Sequence, residues 1–148
     1  MKKTENIQEI TAEEINVVNP SEEIALTVSL PVELVEKEIA TLEQNCVTLA
    51  AKHKVSKVHV YVGLGANNER VVGYLKEPSY LQKIYAMDKM NSQGLFSSSE
   101  EMRSTLTLKE ESDPRTYSEE NDCDVFRLGM ASTAMSIINV AANAFKKK

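Results

Sequence analysis

The feature that most constrains this chain is a change of hydrophobic period, made twice within about fifty residues. Ile24, Leu26, Val28 and Leu30 alternate with Ala25, Thr27 and Ser29. A period of two gives one apolar face to a half-buried strand, here over 24–30. From Val32 the intervals become 3, 4, 3, 4, 3 and 4 through Val35, Ile39, Leu42, Cys46, Leu49 and His53. That is the stripe of an amphipathic helix, with Glu33, Glu36, Lys37, Glu38, Glu43 and Lys52 mostly outside it. Pro31 suits a helical first turn, so the helix is expected over 32–53. Three heptads also reach the minimum for a coiled-coil seam, but a helix laid across a sheet is the reading adopted. Period two then returns, with Val58, Val60 and Val62 on one face and His59 and Tyr61 on the other. Gly63–Glu69 is rich in Gly and Asn, residues that accept positive φ. This predicts a β-hairpin with strands over 57–63 and 70–76, a loop around Gly65 to Asn68, and a stop at Pro78.

The remainder carries helical spacing. A helix starting at Pro78 or Ser79 holds Leu81, Ile84, Tyr85, Met87, Asp88 and Met90 and stops near Gly94. Ser97, Ser98 and Ser99 offer N-caps to a second, short helix through Met102 and Leu106. An acidic connector from Lys109 to Asp124 leads to a last helix, from about Tyr117 or Asp122 to Phe145. Gly129, Ala131, Ala134, Ala141, Ala142 and Ala144 permit close approach to neighbouring elements. The expected fold is therefore α+β: a small antiparallel sheet of strand 24–30 plus the hairpin, packed with the long helix, then a C-terminal helical bundle. Residues 1–23, with six glutamates, read as an acidic N-terminal arm, and 24–148 as a single domain.

Composition excludes several classes. With 148 residues, 42% apolar, the chain can bury a core without disulfide or metal staples. Its net charge is −5, and its cations are dispersed apart from Lys146–Lys148. A nucleic-acid binder needs a basic surface to neutralise phosphates, so direct nucleic-acid binding is not expected. Cys46 and Cys123 lie 77 positions apart without CxxC pairing, and Met1–Lys2–Lys3 opens no apolar leader, which reads as a reduced, intracellular origin. Residues 128–145 are uncharged over 18 positions, but Ser132, Thr133, Ser136, Asn139 and Asn143 interrupt them. A buried helix is preferred to a membrane anchor.

Gly63-Leu64-Gly65 lacks the third glycine of a dinucleotide loop and precedes a strand instead of a helix. His53 and His59 have no partner at zinc-ligand spacing; the first reads as a helix-end residue and the second as a surface strand residue. Asn121, Asp122 and Asp124 lack the glycine and glutamate of a calcium loop. No nucleophile elbow or P-loop is present. Neither a catalytic residue, a cofactor nor a metal site is expected.

A more particular pattern lies in the second half. Val71-Val72-Gly73-Tyr74-Leu75-Lys76-Glu77-Pro78-Ser79, Lys83, Ala86-Met87-Asp88-Lys89 and Leu108-Lys109-Glu110-Glu111-Ser112-Asp113-Pro114-Arg115 resemble small proteins of tailed bacteriophages. These are similar to tail-assembly-chaperone-type or virion-associated families, including those of phages of Bacteroidetes hosts. The resemblance covers about 58–148 and not the strand and helix of 24–54. It implies a hairpin passing into a helical bundle and supplies no catalytic residues. The function it implies is non-catalytic, by protein–protein contacts, as a virion head, neck or tail component or a tail-assembly chaperone. Its partners would be other phage proteins (capsid, neck or tail), in the bacterial host cytoplasm during assembly or in the virion, and a homo-oligomer is compatible with it. The alternatives are a tail-anchored protein using 128–145 and a small enzyme without a recognisable motif. The surface expected to carry partner contacts is the turn around Tyr74, Lys76, Glu77 and Tyr80, where tyrosines give contact area at small entropic cost. The plainer reading packs Tyr74 on the sheet and Tyr80 on the next helix.

Overall fold

Among the described residues, a hairpin lies between one helix on one face and a three-helix layer on the other. The computed structural model describes residues 32–146, which form α1 (Glu36–His53), β1 (Val58–Leu64), β2 (Arg70–Lys76), α2 (Tyr80–Gln93), α3 (Leu95–Leu106) and α4 (Asp124–Lys146). Among the described residues the sheet has two strands, antiparallel, with Val58 opposite Lys76 and Leu64 opposite Arg70. The fold class is α+β, as the change of period implied. The expected strand at 24–30 and the acidic arm lie outside the described residues.

The alternation read from β1 is the division of the core. Val58, Val60 and Val62 pack with Tyr74, Leu108 and the α1 residues Leu42, Cys46 and Leu49. Tyr61, Val71 and Leu75 face the other way, against Ala86, Leu106, Phe126, Met130 and Ile138. Small residues set the spacing of this second layer. A side chain at Gly73 would meet the sulfur of Met130 at 2.5 Å and the Thr116 methyl at 3.0 Å, and one at Gly129 would run into the Tyr61 ring. The helix α4 with its leading turn is long and apolar enough to cross a membrane. Met130, Thr133, Ala134 and Ile138 are almost wholly buried against the hairpin and the neighbouring helices, while Val125, Leu128, Val140 and Phe145 are exposed.

The outer edge of β2 is covered by the strap after α3. The Leu108 N–H donates to the Tyr74 carbonyl, and the Asp113 N–H donates to that of Val72, each at 2.8 Å. The Tyr74 N–H donates to the Ser112 hydroxyl at 2.9 Å. Sheet edges left bare invite non-native pairing, and this one is closed by the chain itself.

Four boundaries and placements differ from expectation. The first helix begins at Glu36 instead of Val32. Val32 is buried with the β1 valines, but residues 32–34 cross the loop end of the hairpin, where the Glu33 carbonyl accepts from Arg70. Val35 is the N-cap residue and is 61% exposed, so the stripe loses its second member. The helix α3 begins directly after Gly94, at φ +104°, which closes α2 and opens α3 together. Ser98 and Ser99 thus lie inside the helix and buried, Ser98 donating to the Ala86 carbonyl at 2.7 Å. Two short 3-10 turns, Pro114–Thr116 and Asn121–Cys123, stand where the last helix was expected to begin. Lastly, His59 is not a surface residue: it is 5% exposed.

Candidate functional site

The hairpin leaves the sheet through Lys76, Glu77 and Pro78, and this turn is held on three sides. The Glu77 N–H donates to the Lys57 carbonyl at 3.0 Å, extending the ladder one rung beyond the strands. The Glu77 carboxylate takes Nε2 of His59 at 2.5 Å on one oxygen and Nζ of Lys83 at 2.6 Å on the other. Burial alone would raise this carboxyl, but the hydrogen bonds and charges of His59 and Lys83 outweigh it and hold the pKa at about 2. Ser79 then caps α2: its hydroxyl accepts from the Gln82 N–H at 3.2 Å, while Gln82 accepts from the Ser79 N–H at 2.8 Å. One carboxylate therefore ties β1, the end of β2 and α2 together.

Beyond this turn α2 exposes large side chains. Tyr80, Leu81 and Tyr85 are 76%, 70% and 77% exposed. A groove of about 530 Å³ runs from Tyr85 between α2 and α3, bridged by the Lys89–Glu101 ion pair at 2.6 Å. Phe96, at the start of α3, is also open to solvent.

Of the four residues expected to meet a partner, Tyr80 is exposed, Lys76 and Glu77 are half-buried and Tyr74 is buried. Tyr74 is buried on the α1 face, and its hydroxyl accepts from the Asn45 amide at 3.2 Å. It packs on the sheet, as the plainer reading had it. Glu77 is engaged by His59 and Lys83, and Lys76 is half-buried beside it. Leu81 and Tyr85 complete the open face. Their spacing marked a helix in the sequence but did not say which side the core would take.

Other chemistry-bearing groups are committed to structure. Lys52 and His53, at the end of α1, meet Glu111 at 2.6 and 3.3 Å and fasten that helix to the strap. Arg115 joins Asp113 and the hairpin-loop residue Glu69 at 2.9 and 2.7 Å and lies over the Phe126 ring. Burial, with Glu43 nearby, pushes the Cys46 thiol up to about 12, which keeps it protonated and poorly nucleophilic. Gly65 belongs to the hairpin loop, donating to the Glu69 carbonyl at 2.8 Å. Glu120, Asp122 and Cys123 bring potential ligand atoms within 4.8 Å of one another, two of these residues exposed and one buried.

Comparison with family models, with curated proteins and with solved structures finds no match to this chain.

Proposed function

We propose that this protein acts without catalysis, by presenting the hairpin-to-helix turn and the open face of α2 to another protein. The observation that carries this is the cluster of Tyr80, Leu81 and Tyr85, each at least 70% exposed, directly after a turn immobilised by the His59–Glu77–Lys83 cluster. Aromatic side chains on a rigid element are the groups that dominate protein interfaces, because they bury area while losing little rotamer freedom. The resemblance of 58–148 to tailed-phage proteins supplies the kind of partner: a capsid, neck or tail component, met in the host cytoplasm during assembly or in the finished particle.

A photo-reactive residue at Gln82 should cross-link this partner in phage-infected cells, and mass spectrometry should identify it as a phage protein. With that partner purified, a Tyr80→Ala, Tyr85→Ala variant with unchanged circular dichroism should bind at least about 30-fold more weakly, the effect of losing one strong anchor. Equal affinity would remove this face from the interface. A cross-linked product that is solely a host enzyme or nucleic acid would overturn the phage reading itself.

A further inference from the structure

The helices α1, α2 and α3 carry charge on their open sides: Glu36 and Lys37, Asp88, and Glu100 and Glu101 are exposed. The helix α4 does not. No residue from Leu128 to Phe145 is charged, although Val125, Leu128 and Val140 are 63%, 69% and 68% exposed. Val125, Leu128, Ser132, Ser136, Asn139 and Asn143 follow at intervals of 3, 4, 4, 3 and 4, so they form one stripe along the helix, with Val140 on its flank. Ser136 is half-buried and the other five are open. Charge is kept to the two ends. At the start, Asp124 and Arg127 pair with each other. Asp122 stands exposed in the turn before α4 and Lys146 in its last turn, and neither enters an ion pair with another described residue.

We propose that this stripe is the contact between two copies of the chain, paired antiparallel along α4. A twofold axis at the level of Ala134 sets each residue against one of the second copy, equally far along the helix on the other side of that level. Leu128 then faces Val140 of the second copy, Val125 faces its Asn143, and Ser132 faces its Ser136. The same register brings Asp122 to Lys146 of the second copy and, by symmetry, Lys146 to its Asp122. Apolar side chains near the middle and opposite charges at both ends are therefore matched in a single register. A parallel pair would set Asp122 against Asp122 and Lys146 against Lys146. The net charge of −5 makes two copies repel over most of their surfaces, and this uncharged side is where they approach at least cost. A lipid surface fits the stripe less well, since Ser132, Ser136, Asn139 and Asn143 are costly in hydrocarbon and ordinary in a protein interface. The contact uses none of the α2 residues proposed to meet another protein, so either reading can fail without the other.

Sedimentation equilibrium of the full-length chain tests this, with cysteine cross-linking for the register. A dimer should predominate at about 100 µM protein. Lys146→Asp sets like charges together at both ends and should weaken the dimer at least about tenfold, while adding Asp122→Lys to it should restore the affinity to within about threefold. Leu128→Lys, at an exposed position and with circular dichroism unchanged, should weaken the dimer at least about 30-fold. Chains carrying Leu128→Cys, mixed with chains carrying Val140→Cys, should oxidise to a mixed disulfide dimer. Neither should do so alone, because the two copies of position 128 lie about 18 Å apart along the helix axis. A chain that stays monomeric at that concentration would overturn the proposal. So would a dimer indifferent to both the charge exchange and Leu128→Lys, or disulfides formed by either cysteine variant by itself, the mark of a parallel pair. Binding of a monomer to phosphatidylcholine–phosphatidylglycerol vesicles, lost in Leu128→Lys, would overturn it too and give the stripe to a membrane.

Discussion

Glu77 is ionised where burial opposes ionisation, and this gives the domain a defined weakness toward acid. A carboxyl whose folded-state pKa is held near 2, against an ordinary 4.5, stabilises the fold fully above pH 4.5. That contribution shrinks as the pH falls from 4.5 toward 2, because the unfolded chain takes up the proton first. The displacement corresponds to about 3 kcal/mol. Glu77→Gln should therefore lower stability at pH 7 by roughly 2–3 kcal/mol and by little near pH 2.5, read from urea unfolding of the two proteins at both pH values. A constant difference across that range would mean that the charge on Glu77 contributes nothing. Packing at Gly73 is the second sensitive point. Gly73→Val places a side chain where Met130 and Thr116 already sit, and a loss of about 1–3 kcal/mol is expected from thermal unfolding. Neither effect was visible in sequence. Glu77 and His59 are 18 positions apart, and only the hairpin register brings them together, so His59 read as a surface residue.

At the level of elements, α1 is held by one face and should respond accordingly. Leu42 is 8% exposed between α1 and the hairpin valines, while Glu43 is directed to the partly open side. Leu42→Asp forces a carboxylate into an apolar contact and should cost several kcal/mol, whereas Glu43→Ala should stay within about 0.5 kcal/mol. Equal melting temperatures would refute the packing of α1 on the sheet. Elements with strong local punctuation were legible. The hairpin followed from alternation around a Gly–Asn loop, and α2 from Ser79 and Gly94 at its two ends. The start of α1 was not, because residues 32–34 continue the apolar spacing while being drawn onto the hairpin by Arg70. The start of α3 was misplaced for a related reason: three serines look like caps, but Gly94 takes the turn and the burial of Ser98 and Ser99 makes them helix interior. The candidate face was half legible, since helical spacing named Leu81 and Tyr85 without saying which side of α2 would pack.

Across the whole molecule, the hairpin is common to both halves of the core, so damage on one side should be felt on the other. Met130→Asp in α4 removes the support of Tyr61 and Leu75, and the amide protection of α1 from Leu42 to Leu49 should fall with it. Retained protection in α1 would show two independently stable layers. A two-stranded hairpin is marginal by itself, and this one gains its stability from segments on either side of it in the chain. The sharing has a consequence for how the protein is made. As the chain leaves the ribosome, α1 can settle on the valine face once the hairpin has emerged, but the face of Tyr61, Val71 and Leu75 stays incompletely covered, by α2 and α3 alone, until α4 follows, some fifty residues later. The nascent protein thus passes through a stage with part of its core open, and a chaperone that shields the Tyr61 face during that delay would raise its yield without touching the finished fold.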